Sequence, residues 1–253
     1  MANVIITGAN QGIGYYMVEA MLAGGNVVGV LDMEIDRLLN LQKQYPRSLL
    51  PLRCNIQDAN AVIKCVGLFA EGFHTIDVAI HNACCCSFSP LEETEEDVFH
   101  KVFDVNYYGG LRFIKAVLPH MVRQSKGKIM LTSSGVGVTG FFNISPYASS
   151  KGALEALVKC LKIEYQDKGI TFHLLHPPLT RTKSSAPLPV PTEFMADPKV
   201  VGYGLAKKIA SKQFLLCHSV GQKIQIKLCY RFPLLLGKLM GKMALRCADG
   251  KGR

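Results

Sequence analysis

The chain has 253 residues, 49% of them hydrophobic, and its 29 Lys and Arg against 19 Asp and Glu give a net charge of +10. That length suits a single α/β domain with a sizeable core, and that apolar content excludes a disordered chain. No segment offers about 18 uninterrupted apolar residues, so no membrane-spanning helix is expected. No basic leader precedes Val4-Ile5-Ile6, so no signal peptide is expected either.

Short β-branched runs alternate with helical patterns along the chain. Residues 4–7 read as a strand and 13–23 as a helix, and 27–31 as a second strand with a helix over 35–44. A third strand over 50–55 precedes a helix over 59–69, and a fourth strand covers 76–81. A long helix spans 95–121, with adjustments expected at Gly109-Gly110 and Pro119. A fifth strand at 128–133, a helix over 148–168 and a sixth strand at 171–175 complete the series. This alternation predicts βαβ units and a parallel sheet, hence a Rossmann-type, doubly wound, three-layer α/β/α domain. The domain is placed at 1–219, with a Pro-rich substrate lid at about 184–196, and a basic amphipathic extension follows at 220–253.

The first strand runs into Thr7-Gly8-Ala9-Asn10-Gln11-Gly12-Ile13-Gly14. Glycines at a strand-to-helix turn permit positive φ and close approach of a ligand, and the free N–H groups of the helix start suit a pyrophosphate. The spacing is G-x-x-x-G-x-G, not the commoner G-x-G-x-x-G. Asp32 ends the second strand 18 residues after Gly14. A carboxylate there accepts from a ribose 2′-hydroxyl and repels a 2′-phosphate. No Arg or Lys stands in the glycine loop or adjoins Asp32 in sequence, so NAD is expected as cofactor in preference to NADP.

Tyr147 and Lys151 stand four apart, on one face of a predicted helix. A phenol titrates at about 10, and a neighbouring ammonium is expected to lower that value so that Tyr147 can serve as acid and base at a carbonyl or alcohol oxygen. Ser134 follows the fifth strand and offers a hydroxyl to the same oxygen.

Taken together, over residues 3–182, the glycine loop, Asn82-Ala83, Asn106, Ser134 and Tyr147-x-x-x-Lys151 resemble the classical short-chain dehydrogenase/reductase family. The resemblance implies an oxidoreductase acting on CH–OH groups, with Asn106, Ser134, Tyr147 and Lys151 as its catalytic set and Asn106 holding a water in a relay to Lys151. It implies cofactor contacts at Gly8, Asn10, Gln11, Gly12, Ile13, Gly14, Asp32, Asn55, Ile56, Asn82, Ala83, Tyr147, Lys151, Pro177 and Thr182. It also implies a dimer or tetramer through the helices around 95–121 and 148–168; Phe103, Tyr107, Leu154 and Leu157 are candidates there, or equally internal core, and a dimer is favoured. Three departures stand out. His81-Asn82-Ala83-Cys84 replaces the family's Asn-Asn-Ala-Gly, Asn55 replaces an acidic residue, and Pro177-Pro178 replaces Pro-Gly. The last is similar to reductases of long-chain lipid ketones such as 3-ketodihydrosphingosine. With the apolar, proline-rich lid, it favours a hydrophobic or lipid-like secondary alcohol or ketone as substrate. The rival reading is a non-catalytic, cofactor-sensing protein on the same fold.

Cys84, Cys85 and Cys86 are consecutive and no CxxC pair accompanies them, so the nine cysteines read as reduced thiols of a cytoplasmic protein and no metal is expected. Residues 199–253 hold twelve Lys and Arg against Asp249 alone, which leaves residues 1–198 at −1. Lys223, Lys227 and Arg231, then Lys238, Lys242 and Arg246, recur every four residues, and between them lie Ile224, Ile226, Leu228, Tyr230, Phe232, Leu234, Leu235, Leu236, Leu239, Met240, Met243 and Leu245. Pro233 and Gly237 are expected to divide this tail into short helices. Such a segment can lie on an anionic membrane surface or pack on the domain or a second subunit, and no nucleic-acid recognition motif accompanies it.

Overall fold

The computed structural model describes residues 1–188 and 190–249, the side chains of 243–249 excepted. Lys251, Arg253 and the side chains of Met243, Leu245 and Arg246, counted in the tail above, lie outside the described residues. Seven strands form one parallel sheet: β1 (Asn3–Thr7), β2 (Val27–Asp32), β3 (Leu49–Arg53), β4 (Val78–His81), β5 (Gly127–Thr132), β6 (Ile170–Leu175) and β7 (Leu215–Leu216). Their spatial order is β3-β2-β1-β4-β5-β6-β7. The central strands are buried on both faces, which is why they read as unbroken apolar runs instead of alternating ones; Val4, Ile5 and Ile6 are all fully buried.

Helices cover both faces. Five precede the fifth strand: α1 (Gly12–Ala23), α2 (Asp36–Gln42), α3 (Ala59–Phe73), α4 (Glu96–Phe103) and α5 (Gly109–Gln124). After it come α6 (Val136–Thr139), α7 (Ser145–Glu164), α8 (Pro198–Ala206), α9 (Val220–Arg231) and α10 (Pro233–Asp249). One face packs Ile5, Ala79 and Leu131 under Phe69 of α3, Phe113 of α5 and Leu154 of α7. The opposite face packs Val4, Ile6 and Val28 under Met17 of α1, Leu38 of α2 and Val201 of α8. Contact is close enough to require glycine at Gly29, where a Cβ would meet the Phe69 ring at 2.4 Å.

Several boundaries differ from the sequence reading. The long helix is α4 and α5 joined by a π-helical turn at Asp104–Tyr108, one turn ahead of the Gly109-Gly110 adjustment expected. Those glycines serve packing: a Cβ on Gly109 would meet Ile56 at 2.9 Å, and one on Gly110 would meet His81 at 3.0 Å. Helix α7 starts at Ser145, with Pro146 in its first turn, where a missing N–H costs nothing. The tail breaks only before Pro233. Gly237 continues α10, and its missing Cβ lets that helix approach the Thr139 carbonyl, which a Cβ would meet at 2.8 Å.

Candidate active site

The sheet reverses its winding between β1 and β4, and at such a switch point the strand ends open a crevice. Here it is a cavity of about 820 Å3. The glycine loop forms its floor. Gly8 has φ of 68° and Gly12 φ of 60°, left-handed conformations that side chains other than glycine rarely adopt. A Cβ on Gly8 would sit 2.4 Å from Ala83 Cα, and one on Gly12 would meet Thr182 Cγ2 at 3.3 Å. The loop thus touches the segments after β4 and after β6. Asn82 Nδ2 donates to Gly8 O at 2.6 Å and ties the β1 and β4 ends together.

Asp32 accepts from the Asn10 N–H at 2.8 Å, so the carboxylate also holds the glycine loop. Arg53 lies opposite Asp32 in the β2–β3 register, and its guanidinium donates to Met33 O at 3.2 Å. The sequence reading saw no cation near Asp32, because strand register and not sequence distance brings Arg53 there. Of the fifteen cofactor residues implied by the resemblance, all line the cavity except Asn10 and Gly14. Asn10 is buried and accepts from Leu38 N–H, and Gly14 packs under Gly8 O and Asn82.

Ser134, Tyr147 and Lys151 line the same cavity. The hydroxyl of Ser134 comes from the turn after β5, and Tyr147 and Lys151 from the first two turns of α7. Lys151 Nζ donates to Thr132 O at 2.8 Å and stands 5.6 Å from the centre of the Tyr147 ring. Burial pushes the Tyr147 phenol well above its ordinary range, the charges of Cys86 and Cys84 push the same way, and a hydrogen bond with Ser134 offsets part of this. The expected lowering by Lys151 is therefore not the balance found. Burial dominates, and the Lys151 ammonium, itself lowered by burial, is turned to a backbone carbonyl.

Asn106 is fully buried, but its amide faces the loop after β4 and not Lys151. It accepts from Cys85 N–H at 2.7 Å and donates to Cys85 O and to Ser150 Oγ, both at 2.9 Å. Its backbone carbonyl, in the π turn, lies 3.2 Å from His81 Nε2. His81 is held neutral: burial, then the charge of Lys151, lowers it to about 3. Its Nδ1 meets Thr7 Oγ1 at 3.0 Å, and Thr7 Oγ1 accepts from the N–H groups of Asn82 and Ala83. With both other contacts of Thr7 accepting, Thr7 donates to Nδ1, which leaves Nε2–H to donate to Asn106 O. His81 thus takes one acceptor position of the Asn106 carbonyl.

The far side of the cavity is apolar: Phe88, Phe141, Ile144, Leu188, Val190 and Phe194, with Ile226 and Cys229 of α9 and Met240 of α10. The lid contributes two single turns, Lys183–Ser185 and Thr192–Phe194. The sequence reading did not place the tail in this wall. A buried polar cluster fixes it there. Tyr230 OH donates to Glu155 Oε2 at 2.6 Å, and Ser133 Oγ donates to Glu155 Oε1 at 2.7 Å. His176 Nε2 lies 3.3 Å from the same carboxylate. Burial raises the Glu155 carboxyl, and the Tyr230 and Ser133 hydroxyls pull it back. The outward side of α9 and α10 keeps Ile224, Leu228, Leu234, Leu235 and Leu239 exposed beside Lys227, Arg231, Lys238 and Lys242. Among the described residues no cluster of His, Cys, Asp and Glu is placed to hold a metal, and no helix is long and apolar enough to cross a membrane.

Comparison with known proteins adds three findings. The profile of the short chain dehydrogenase family matches residues 2–190. A vibriobactin-specific 2,3-dihydro-2,3-dihydroxybenzoate dehydrogenase of Vibrio cholerae is 30% identical over 72% of this chain and 71% of its own. Among solved structures, a short-chain dehydrogenase from Streptomyces avermitilis superposes with a TM-score of 0.79 at 22% identity, over 96% of this chain and 98% of its own. A gluconate 5-dehydrogenase from Burkholderia cenocepacia, in complex with NADP and tartrate, gives 0.75 at 23% identity, over 83% and 88%.

Proposed function

The chain belongs to the short-chain dehydrogenase family, and from that premise we propose that it is an NAD(H)-dependent oxidoreductase interconverting a hydrophobic, lipid-like secondary alcohol and its ketone. The observation that carries the reading is the meeting of Ser134, Tyr147 and Lys151 with the glycine loop and Asp32 in one cavity whose far wall is apolar. The loop at Gly8 and Gly12 suits a dinucleotide, because both residues line the cavity with positive φ and lead into the start of α1, whose free N–H groups can face a pyrophosphate. Asp32 supports NAD(H) over NADP(H) by repelling a 2′-phosphate. When bound, the nicotinamide supplies or accepts the hydride.

The chain's own residues account for the proton. A carbonyl oxygen in this cavity would accept hydrogen bonds from Ser134 and Tyr147. With its phenol held protonated, Tyr147 donates to an oxygen that is becoming an alkoxide when a ketone is reduced. The fixed positive charge of Lys151 stabilises the phenolate left behind. The wall of Phe141, Leu188, Phe194 and Ile226 excludes water and takes the apolar body of the substrate.

Three finer features belong to the same reading. The exposed apolar stripe of α9 and α10, flanked by lysines, supports docking on an anionic lipid surface without crossing it. Exposed Tyr108 and Ile163 on the α5 and α7 side support a homodimer, which light scattering showing a monomer at micromolar concentration would refute; Leu154, one candidate for that contact, is core. The protein acts in the cytoplasm, in part at the membrane surface. The test of function is a panel of hydrophobic ketones with NADH and NADPH. NADH oxidation with at least one ketone is expected. No turnover with any of them, together with a change in partner association on NADH binding, would favour a cofactor sensor instead.

A further inference from the structure

The segment after β4 is held at several points. Asn82 is tied to Gly8 O, the Ala83 N–H to Thr7 Oγ1 at 3.2 Å, and Cys85 to the Asn106 amide through both its N–H and its C=O. Cys84 and Cys86 flank the pinned Cys85, and both line the catalytic cavity. Cys84 is exposed to that space, where the family pattern has a glycine and no side chain. Lys151, whose Nζ is anchored on Thr132 O, supplies a fixed positive charge in the same wall, and the Ser184 hydroxyl stands across from the thiol.

We propose that Cys84 is a nucleophile and a site of covalent modification, taking a hydrophobic α,β-unsaturated carbonyl compound that enters the catalytic cavity. The cavity suits both ends of such a molecule. Ser134 and Tyr147 offer hydroxyls to its carbonyl oxygen, and the thiol stands in the same space to reach a neighbouring carbon. The step is an addition. A bond forms between Cys84 Sγ and the β-carbon, and the C=C π pair moves toward the oxygen to give an enolate held by the two hydroxyls. The proton released by the thiol is restored at the α-carbon. Nothing is oxidised or reduced overall, and the product is a thioether that occupies the cavity.

The chemistry of the pair supports this. Cys84 is pulled below the ordinary thiol range by the hydrogen bond from Cys86, and the charge of Lys151 and the Ser184 hydroxyl act the same way against burial. Cys86 is pushed far up, by the same hydrogen bond and by burial, so the two thiols do not ionise together. Other cysteines are unlike it. Burial pushes Cys54 up to about 12 and Cys217 up to about 11, and Cys160 is exposed on the outer surface of α7 away from any such cluster. The thiolate is the reactive form, and the nucleophilicity it loses on being stabilised only partly offsets the larger fraction ionised.

The test uses the full chain with no cofactor or substrate, so it does not depend on turnover. N-phenylmaleimide, a stable hydrophobic member of this electrophile class, is added in limiting amount at pH 6, and labelled peptides are mapped by fragmentation mass spectrometry. Cys84 should label about tenfold faster than the exposed Cys160. The Cys84 rate should level off near neutral pH. Lys151→Met should slow Cys84 at pH 6 and move its plateau to higher pH, leaving Cys160 unchanged. First labelling at Cys160 or Cys247 at pH 6, or a fast phase that survives in Cys84→Ser, overturns the proposal.

Discussion

Replacing Tyr230 with Phe removes one hydroxyl from the buried cluster that holds α9 over the cavity, and changes little else in volume. The lost bond is short, 2.6 Å, and its acceptor Glu155 is 4% exposed, so water cannot take the hydroxyl's place cheaply. A hydrogen bond to a charged group contributes about 2 kcal/mol. For a domain of this size that corresponds to a fall in Tm of about 4–8 °C. If α9 opens locally, its amide exchange should accelerate by about 30-fold. The loss should depend on pH. Burial already raises the Glu155 carboxyl, and without the Tyr230 hydroxyl it rises further. Stability linked to a raised carboxyl is full below its unfolded value and is lost as pH rises through the folded value. The Tyr230→Phe deficit should therefore be largest at neutral pH and shrink toward pH 4. Thermal melts at both pH values and hydrogen exchange over residues 220–231 measure it. A Tm within 1 °C of the parent, with exchange in α9 unchanged, would refute the latch.

Three further outcomes are expected. Asp32→Ala should weaken NADH binding, read by nicotinamide fluorescence, more than NADPH binding; equal or tighter NADPH binding by the unaltered chain would refute the role given to Asp32, with Arg53 then the residue to examine. Ketone reduction should hold steady from pH 6 to 9, because the raised Tyr147 phenol is protonated throughout and its proton is lost only above that range; a fall in kcat centred near pH 7 would contradict the proton assignment. In sedimentation with anionic vesicles at low salt, the triple variant Lys227→Gln, Lys238→Gln, Lys242→Gln should bind about 100-fold more weakly, at about 1 kcal/mol for each exposed charge; unaltered protein remaining in the supernatant would refute docking.

What the sequence made legible was local. The strands of the sheet centre announce themselves because burial on both faces selects unbroken apolar runs, and the glycine loop because Gly8 and Gly12 must adopt positive φ. Tyr147 and Lys151 are visible by helical spacing alone. The remainder depends on register and on long-range contact. Arg53 meets Asp32 because β3 pairs with β2, and β7 is two residues long, too short to carry a pattern. Tyr230 and Glu155 are 75 residues apart, so nothing in the tail's periodicity tells which of its apolar positions face the cavity. The packing reading of the tail holds for Ile226 and Cys229, which are buried, while Ile224 and Leu228 on the same helix are exposed. The contact of His81 with the Asn106 carbonyl was not legible either, because it joins β4 to the π turn 25 residues away.

Deuterium transfer tests the central claim most directly. NADH carrying deuterium at the reactive C4 position is incubated with the enzyme and a ketone that supports its oxidation, and the product alcohol is analysed by mass spectrometry. The account predicts one deuterium at the carbinol carbon with the unaltered chain. In Tyr147→Phe, which lacks only the proton donor, transfer should fall at least about 100-fold while NADH binding is retained. NADH oxidation that leaves no deuterium in the alcohol, or a Tyr147→Phe variant that transfers it at the parent rate, would contradict the account.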